Sequence, residues 1–193
     1  MLNLFIVAGL LLSGCATPVV QTNVQDSTDQ IVETLGFLES EECSYSIEDN
    51  ACDFQLLDQN GRSWRLEDHL GDVVLIDLSV MWCGPCQYAA TTAQSTEDVY
   101  SHLGFHYVTI LMDNFTGSPA VESDCLSWAT NFGITDAPVL VGSRNMLTSG
   151  GASHGFPISS WPTFIILNRN HEVVWSMNGF SESALKSAIE QYL

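Results

Sequence analysis

Cys83 and Cys86 stand either side of Gly84 and Pro85, with Trp82 immediately ahead of them. Two thiols at that spacing can close into a disulfide and reopen, or offer two soft ligands to a metal. The first chemistry needs a thiolate, so the nucleophile's pKa must fall towards ambient pH. A helix N-terminus does this through unpaired backbone N–H groups and the helix dipole. Pro85 suits the first helical turn, which puts the pair where such a helix opens. Cys83 is then the outer nucleophile, and Cys86, inside the first turn, resolves the mixed disulfide. Gly84 leaves room for a substrate and Pro85 fixes the turn. No second Cys pair at zinc-ribbon spacing accompanies them.

The elements that must hold this pair are legible in outline. Val73–Val80 is a near-continuous apolar run, suited to a central strand covered on both faces, and Asp77 is the one acid inside it. A helix is predicted from Pro85 to about Tyr100, a second core strand over Phe105–Met112, and a helix over Glu122–Phe132. Phe54–Leu57 reads as a short strand, with a turn at Gln59–Arg62 leading into Ser63–Leu66. Trp161–Leu167 and Glu172–Ser176 read as strands joined at Asn168-Arg169-Asn170. Ser181 caps a last helix with Leu185, Ile189 and Leu193 on one face. The fold class is α/β, a central mixed β-sheet with helices on both faces. The glycine-rich stretch Pro138–Pro157 is expected to be an inserted loop near the active site.

The chain's start reads as an address. Leu4–Leu12 is apolar but too short to span a bilayer, and it runs into Leu12-Ser13-Gly14-Cys15. That tetrapeptide resembles the lipobox of bacterial lipoproteins, which implies cleavage before Cys15 and lipidation there. No Lys or Arg precedes the apolar run, a departure from the usual basic start. Residues 1–14 are thus expected to be a signal peptide, 15–40 a lipidated Cys with a polar tether, and 41–193 the folded domain. Ala16 after the Cys resembles outer-membrane sorting, the periplasmic face in a Gram-negative cell.

Export permits disulfides, so the six cysteines can be sorted. Cys43 and Cys52 flank an acidic stretch without helical or strand pattern, and a structural bridge between them is expected. It would contribute roughly 2–3 kcal/mol on the chain-entropy estimate. Cys125 shares a helical stripe with Trp128, Ala129 and Phe132, as a small core hydrophobe or a third redox thiol. The 193 residues carry 23 acidic groups against 5 Lys plus Arg, a net charge of -18 that repels phosphate backbones and argues against nucleic acid. His69, His102, His106 and His171 show no ligand spacing, and no metal site is assigned.

From about Asp53 to Leu193 the chain resembles the thioredoxin superfamily, above all the extracytoplasmic TlpA/ResA type. The resemblance rests on Trp82-Cys83-Gly84-Pro85-Cys86, on Trp161-Pro162-Thr163 at the start of a later strand, and on Asn178-Gly179-Phe180 before the last helix. It implies a protein disulfide oxidoreductase with no cofactor beyond its Cys83–Cys86 disulfide. Asp77 would be the buried acid that moves the resolving thiol's proton. Pro162 would be cis, presenting the backbone of Trp161 to an extended substrate, with Trp82 beside the disulfide. Gln87 and Thr109 stand roughly where family members carry lysines, which leaves Asp77 harder to ionise. Partners implied are protein thiols and disulfides, a membrane thiol electron donor and the membrane itself through the lipid, for a monomeric protein. Two rival readings are a copper chaperone using Cys83, Cys86 and His154, and a peroxiredoxin-like peroxidase. The peroxidase lacks its motif's Thr two residues before Cys83.

Overall fold

The computed structural model describes residues 35–38, 43–152 and 154–193. The lipobox, Cys15 and most of the expected tether lie outside them.

Val73–Val80 (β4) is buried at every position and forms the centre of a five-stranded sheet. It pairs in parallel with Phe105–Asp113 (β5), which pairs in parallel with Val139–Val141 (β6). On its other side β4 pairs antiparallel with Thr163–Leu167 (β7), and β7 with Val173–Asn178 (β8). The sheet is mixed, as expected, because β4–β5–β6 are joined through helices while β7–β8 is a hairpin. Those helices are Gly84–Tyr100 (α1) and Glu122–Phe132 (α2), and Glu182–Tyr192 (α3) follows the hairpin. The α1 residue Gln94 accepts hydrogen bonds from the backbone N–H groups of Thr135 and Asp136 just after α2. Near its far end Tyr100 donates to Glu190 of α3 at 2.9 Å.

A second, smaller sheet joins Gly36–Phe37 (β1), Phe54–Leu57 (β2) and Ser63–Arg65 (β3). Phe37, Tyr45, Phe54 and Phe156 pack ring on ring where it meets the main body, with centroids 4.2–5.9 Å apart. Two sequence expectations change here. Within the stretch expected to be tether, Gly36–Phe37 forms β1 and is held by β2. Pro138–Pro157 is not all loop: Val139–Val141 is an edge strand, and short 3₁₀ turns follow at Arg144–Met146 and Thr148–Gly150. A three-residue strand is too short for its alternation to stand out, and only its register against β5 defines it.

Candidate active site

The chain leaves β4 through Met81 and Trp82 and enters α1 at Gly84. Cys83 is the N-cap, in extended conformation, and its Sγ accepts the backbone N–H of Cys86 at 3.2 Å. Pro85 occupies the first turn, where its missing N–H costs no hydrogen bond. Cys83 and Cys86 are joined as a disulfide with Cα atoms 5.2 Å apart. Cys83 is 7% exposed and Cys86 is fully buried, so a substrate sulfur reaches the outer one first. A thiolate on Cys83 would face the helix N-terminus, where its sulfur already accepts the Cys86 N–H.

Strand register brings the remaining pieces to this end of the sheet. Leu78 of β4 pairs with Thr163 at the start of β7, which sets Trp161 and Pro162 beside the last turn of chain before Cys83. The Trp161–Pro162 peptide is cis. Pro162's carbonyl accepts the N–H of Gly179 at 2.7 Å, and Gly179 takes φ +77°, a conformation that suits glycine. Phe180 then meets Phe164 of β7 and Tyr88 of α1, linking the third resemblance feature to the active-site helix.

Asp77 is fully buried, and Phe164 and Thr109 are its neighbours across the two flanking strands. Burial pushes its carboxyl up from 3.8 to about 7, against the opposing pull of three hydroxyl donors: Ser79, Tyr107 and Thr109. Ser79 donates to one oxygen at 2.6 Å and Tyr107 to the other at 3.1 Å. Hydroxyls therefore occupy the surroundings where the family resemblance anticipates a cation. Ser79 lies two residues on, so strand alternation brings it to Asp77's face. Tyr107 gave no sequence signal, since only the β4–β5 register brings it across.

Trp82 is 45% exposed and does not belong to the core; its indole N–H donates to Asp113 at 3.2 Å. Asp113, buried at the end of β5, also takes the Arg144 guanidinium, whose Nε lies 2.9 and 3.0 Å from its two oxygens. The inserted stretch thus reaches the dithiol's flank through an ion pair that no spacing foretold. Gln87 donates to the Met81 carbonyl at 2.7 Å, fixing the turn ahead of Cys83.

The other cysteines separate cleanly. Cys43 and Cys52 are bridged, with Cα atoms 4.9 Å apart, and Tyr45 donates to the Cys52 carbonyl at 2.6 Å. Cys125 is buried beside Trp128, and burial lifts its thiol to about 12, far from nucleophilic. His154 lies against the Cys43 carbonyl at 3.0 Å, and among the described residues it forms no ligand cluster with Cys83 and Cys86.

No family model matches the chain. It is 25% identical over 154 residues to the thiol-disulfide oxidoreductase ResA of Geobacillus thermodenitrificans, covering 80% of each protein. Among solved structures, a candidate thiol:disulfide interchange protein DsbE from Chlorobium tepidum is 26% identical, with a TM-score of 0.58 over 76% of this chain and 94% of that one. The thioredoxin domain of a Bacteroides vulgatus thiol-disulfide oxidoreductase shares the fold at 16% identity, with a TM-score of 0.62 over 76% of this chain and 97% of its own. The sheet order β6-β5-β4-β7-β8, the disulfide at the mouth of α1 and these likenesses together give the chain the thioredoxin fold, with a likeness to thiol-disulfide oxidoreductases of the ResA type.

Proposed function

We propose that the chain is an extracytoplasmic thiol–disulfide oxidoreductase that reduces or exchanges protein disulfides through Cys83 and Cys86. One observation carries this: a disulfide capping a helix N-terminus, with its first cysteine 7% exposed and its second fully buried. In the reducing direction the Cys83 thiolate attacks a substrate disulfide. A Cys83–substrate S–S bond forms, and the substrate's own S–S bond breaks with its electron pair on the leaving sulfur. Asp77, as carboxylate, takes the Cys86 proton, and the Cys86 thiolate attacks Cys83 Sγ. The substrate leaves as a dithiol, and the protein holds the Cys83–Cys86 disulfide. Each turnover moves two electrons, so a dithiol donor must reset the pair; a membrane thiol relay is the natural class.

Trp161 offers its backbone to an extended substrate segment, and Trp82, Gly84 and Pro85 form the surface that segment meets. Cys15 carries the lipid, and residues 1–14 are the leader. The protein works as an anchored monomer without a further cofactor.

The deciding measurement is the reduction potential of the Cys83/Cys86 pair, with insulin disulfide reduction assayed alongside. A potential near that of thioredoxin, about −270 mV, with turnover supports the reductant. A potential near −120 mV, on the order of DsbA's, would reverse the direction of electron flow. Absence of turnover together with copper binding lost in Cys83→Ser would overturn the reading in favour of a metal chaperone.

A further inference from the structure

At the opposite end of the sheet, three ligand-bearing side chains converge that are scattered in sequence. His69 ends the short 3₁₀ turn Leu66–His69, Asp72 immediately precedes β4, and His106 is the second residue of β5. One donor atom from each lies within 4.8 Å of the others. The His106 Nε2 is 3.1 Å from an Asp72 oxygen, and the two imidazole rings are 4.3 Å apart at 65°. All three side chains are half-buried, open enough to exchange ligands with solvent. Since β4 rises about 26 Å over its length, this cluster is separate from the dithiol beyond the strand's other end.

The surroundings hold these groups in place. His69 stacks on Trp64, centroids 4.6 Å apart and planes within 15°. Its carbonyl accepts from the buried His171 Nε2 at 3.1 Å, which pins the turn. Behind His106, the other ring nitrogen faces Glu97 of α1 at 3.8 Å. Glu97's second oxygen is anchored by the Tyr107 backbone N–H at 2.6 Å. A carboxylate behind the distal nitrogen is how metal-bound histidines are oriented. Arg169 directs its donors to the carbonyls of Gly71, Leu103 and Leu193, leaving Asp72 turned to His106.

We propose that His69, Asp72 and His106 form a binding site for a divalent late transition ion, with zinc as the best match and Glu97 as the carboxylate that positions His106. Two imidazoles and one carboxylate are a borderline donor set that suits Zn²⁺ and, with water in the fourth position, its tetrahedral geometry. At bond lengths of about 2.0–2.1 Å the donors must close to roughly 3.4 Å, within reach of side-chain rotation. Occupation ties the 3₁₀ turn to β4 and β5. The chain's charge of -18 raises the local concentration of any cation.

The test is isothermal titration of the tag-free, fully oxidised full chain with ZnCl₂, and with CoCl₂ followed by visible absorption. Oxidation keeps the Cys43, Cys52, Cys83 and Cys86 sulfurs out of reach as thiolates. The expected result is one ion per chain, a tetrahedral Co²⁺ spectrum and a zinc-dependent rise in Tm. His69→Ala and His106→Ala should each weaken binding at least 100-fold, and Glu97→Gln about 10-fold. His154→Ala should leave binding unchanged, and insulin reduction should be unaffected throughout. Should an alanine variant fold poorly, the partly exposed Asp72→Asn gives the same reading. Zinc binding that survives His69→Ala and His106→Ala, or none at all in the wild-type chain, overturns the proposal.

Discussion

Tyr107 donates its phenol hydrogen to Asp77 at 3.1 Å, one strand across in the core of the sheet. Burial alone would hold this acid protonated to a higher pH; Ser79, Tyr107 and Thr109 bring it back to about 7 by hydrogen-bonding the charged form. A group balanced there exchanges its proton near neutrality, as the proposed transfer from Cys86 requires. Removing one hydroxyl should therefore shift the balance without abolishing it.

Tyr107→Phe should raise the Asp77 pKa above its value near 7 by about one unit, the worth of one hydrogen bond to a charged group. Resolution of a Cys83 mixed disulfide, followed by stopped flow against pH, should keep its plateau rate and move its midpoint upward. A loss of rate with an unmoved midpoint would mean that Tyr107 serves packing alone.

Asp77→Asn should slow resolution and remove its pH midpoint, while changing stability in a definite direction. The folded carboxyl titrates near 7 and the unfolded one near 3.8, so between these values only the unfolded chain releases the proton. Wild-type stability thus falls as pH rises through that window, by on the order of 4 kcal/mol when complete. Asparagine has no such term. Urea melts should show the variant gaining on wild type from about pH 4 to about pH 8, and a flat difference would contradict the raised pKa.

What the sequence disclosed and what it hid follow from the range of the interactions. Cys83, Pro85 and Cys86 act through one helix turn, so their spacing carries their meaning. Asp77 was visible because it breaks an apolar run. Tyr107, Asp113 with Arg144, and the cluster of His69, Asp72 and His106 depend on contacts between segments more than 30 residues apart or on strand register. Local pattern has no access to either. The β1 strand was hidden for a further reason: two residues held by one partner have no periodicity to detect.

Cys86→Ser should accumulate a covalent complex with a disulfide substrate, because Cys83 can still attack while nothing inside the helix resolves it. Cys83→Ser should form none, since the remaining sulfur is fully buried. Non-reducing gels and intact mass distinguish the two. Complex formation through Cys86 in the second variant would reverse the assigned roles.

Replacing Cys43 and Cys52 together with Ala should lower stability by about 2–3 kcal/mol while leaving insulin reduction intact. The loop they close is also tied to the hairpin, through the Glu48 N–H to Val173 and the Ala51 N–H to His171, so it should stay in place when the bridge is lost. A loss of activity in the folded variant would give this disulfide a redox role instead.

Arg144→Ala tests how the inserted stretch serves the dithiol. Asp113 is 1% exposed, and Arg144 supplies its ion pair while Trp82 supplies a single N–H at 3.2 Å. Without the guanidinium, a buried carboxylate keeps only that one side-chain donor, and the loss should be about 2–3 kcal/mol, reduced by the half-exposed position of Arg144. Asp113 should then shift towards solvent and release the Trp82 indole, the aromatic surface next to Cys83. The expected kinetic signature is a higher KM for protein disulfides with little change in the rate of resolution, because Asp77 and Cys86 are untouched. Arg144→Lys should restore part of the stability, since a single ammonium replaces the charge without the forked geometry. An unchanged KM in Arg144→Ala would confine the ion pair to folding and remove the inserted stretch from substrate recognition.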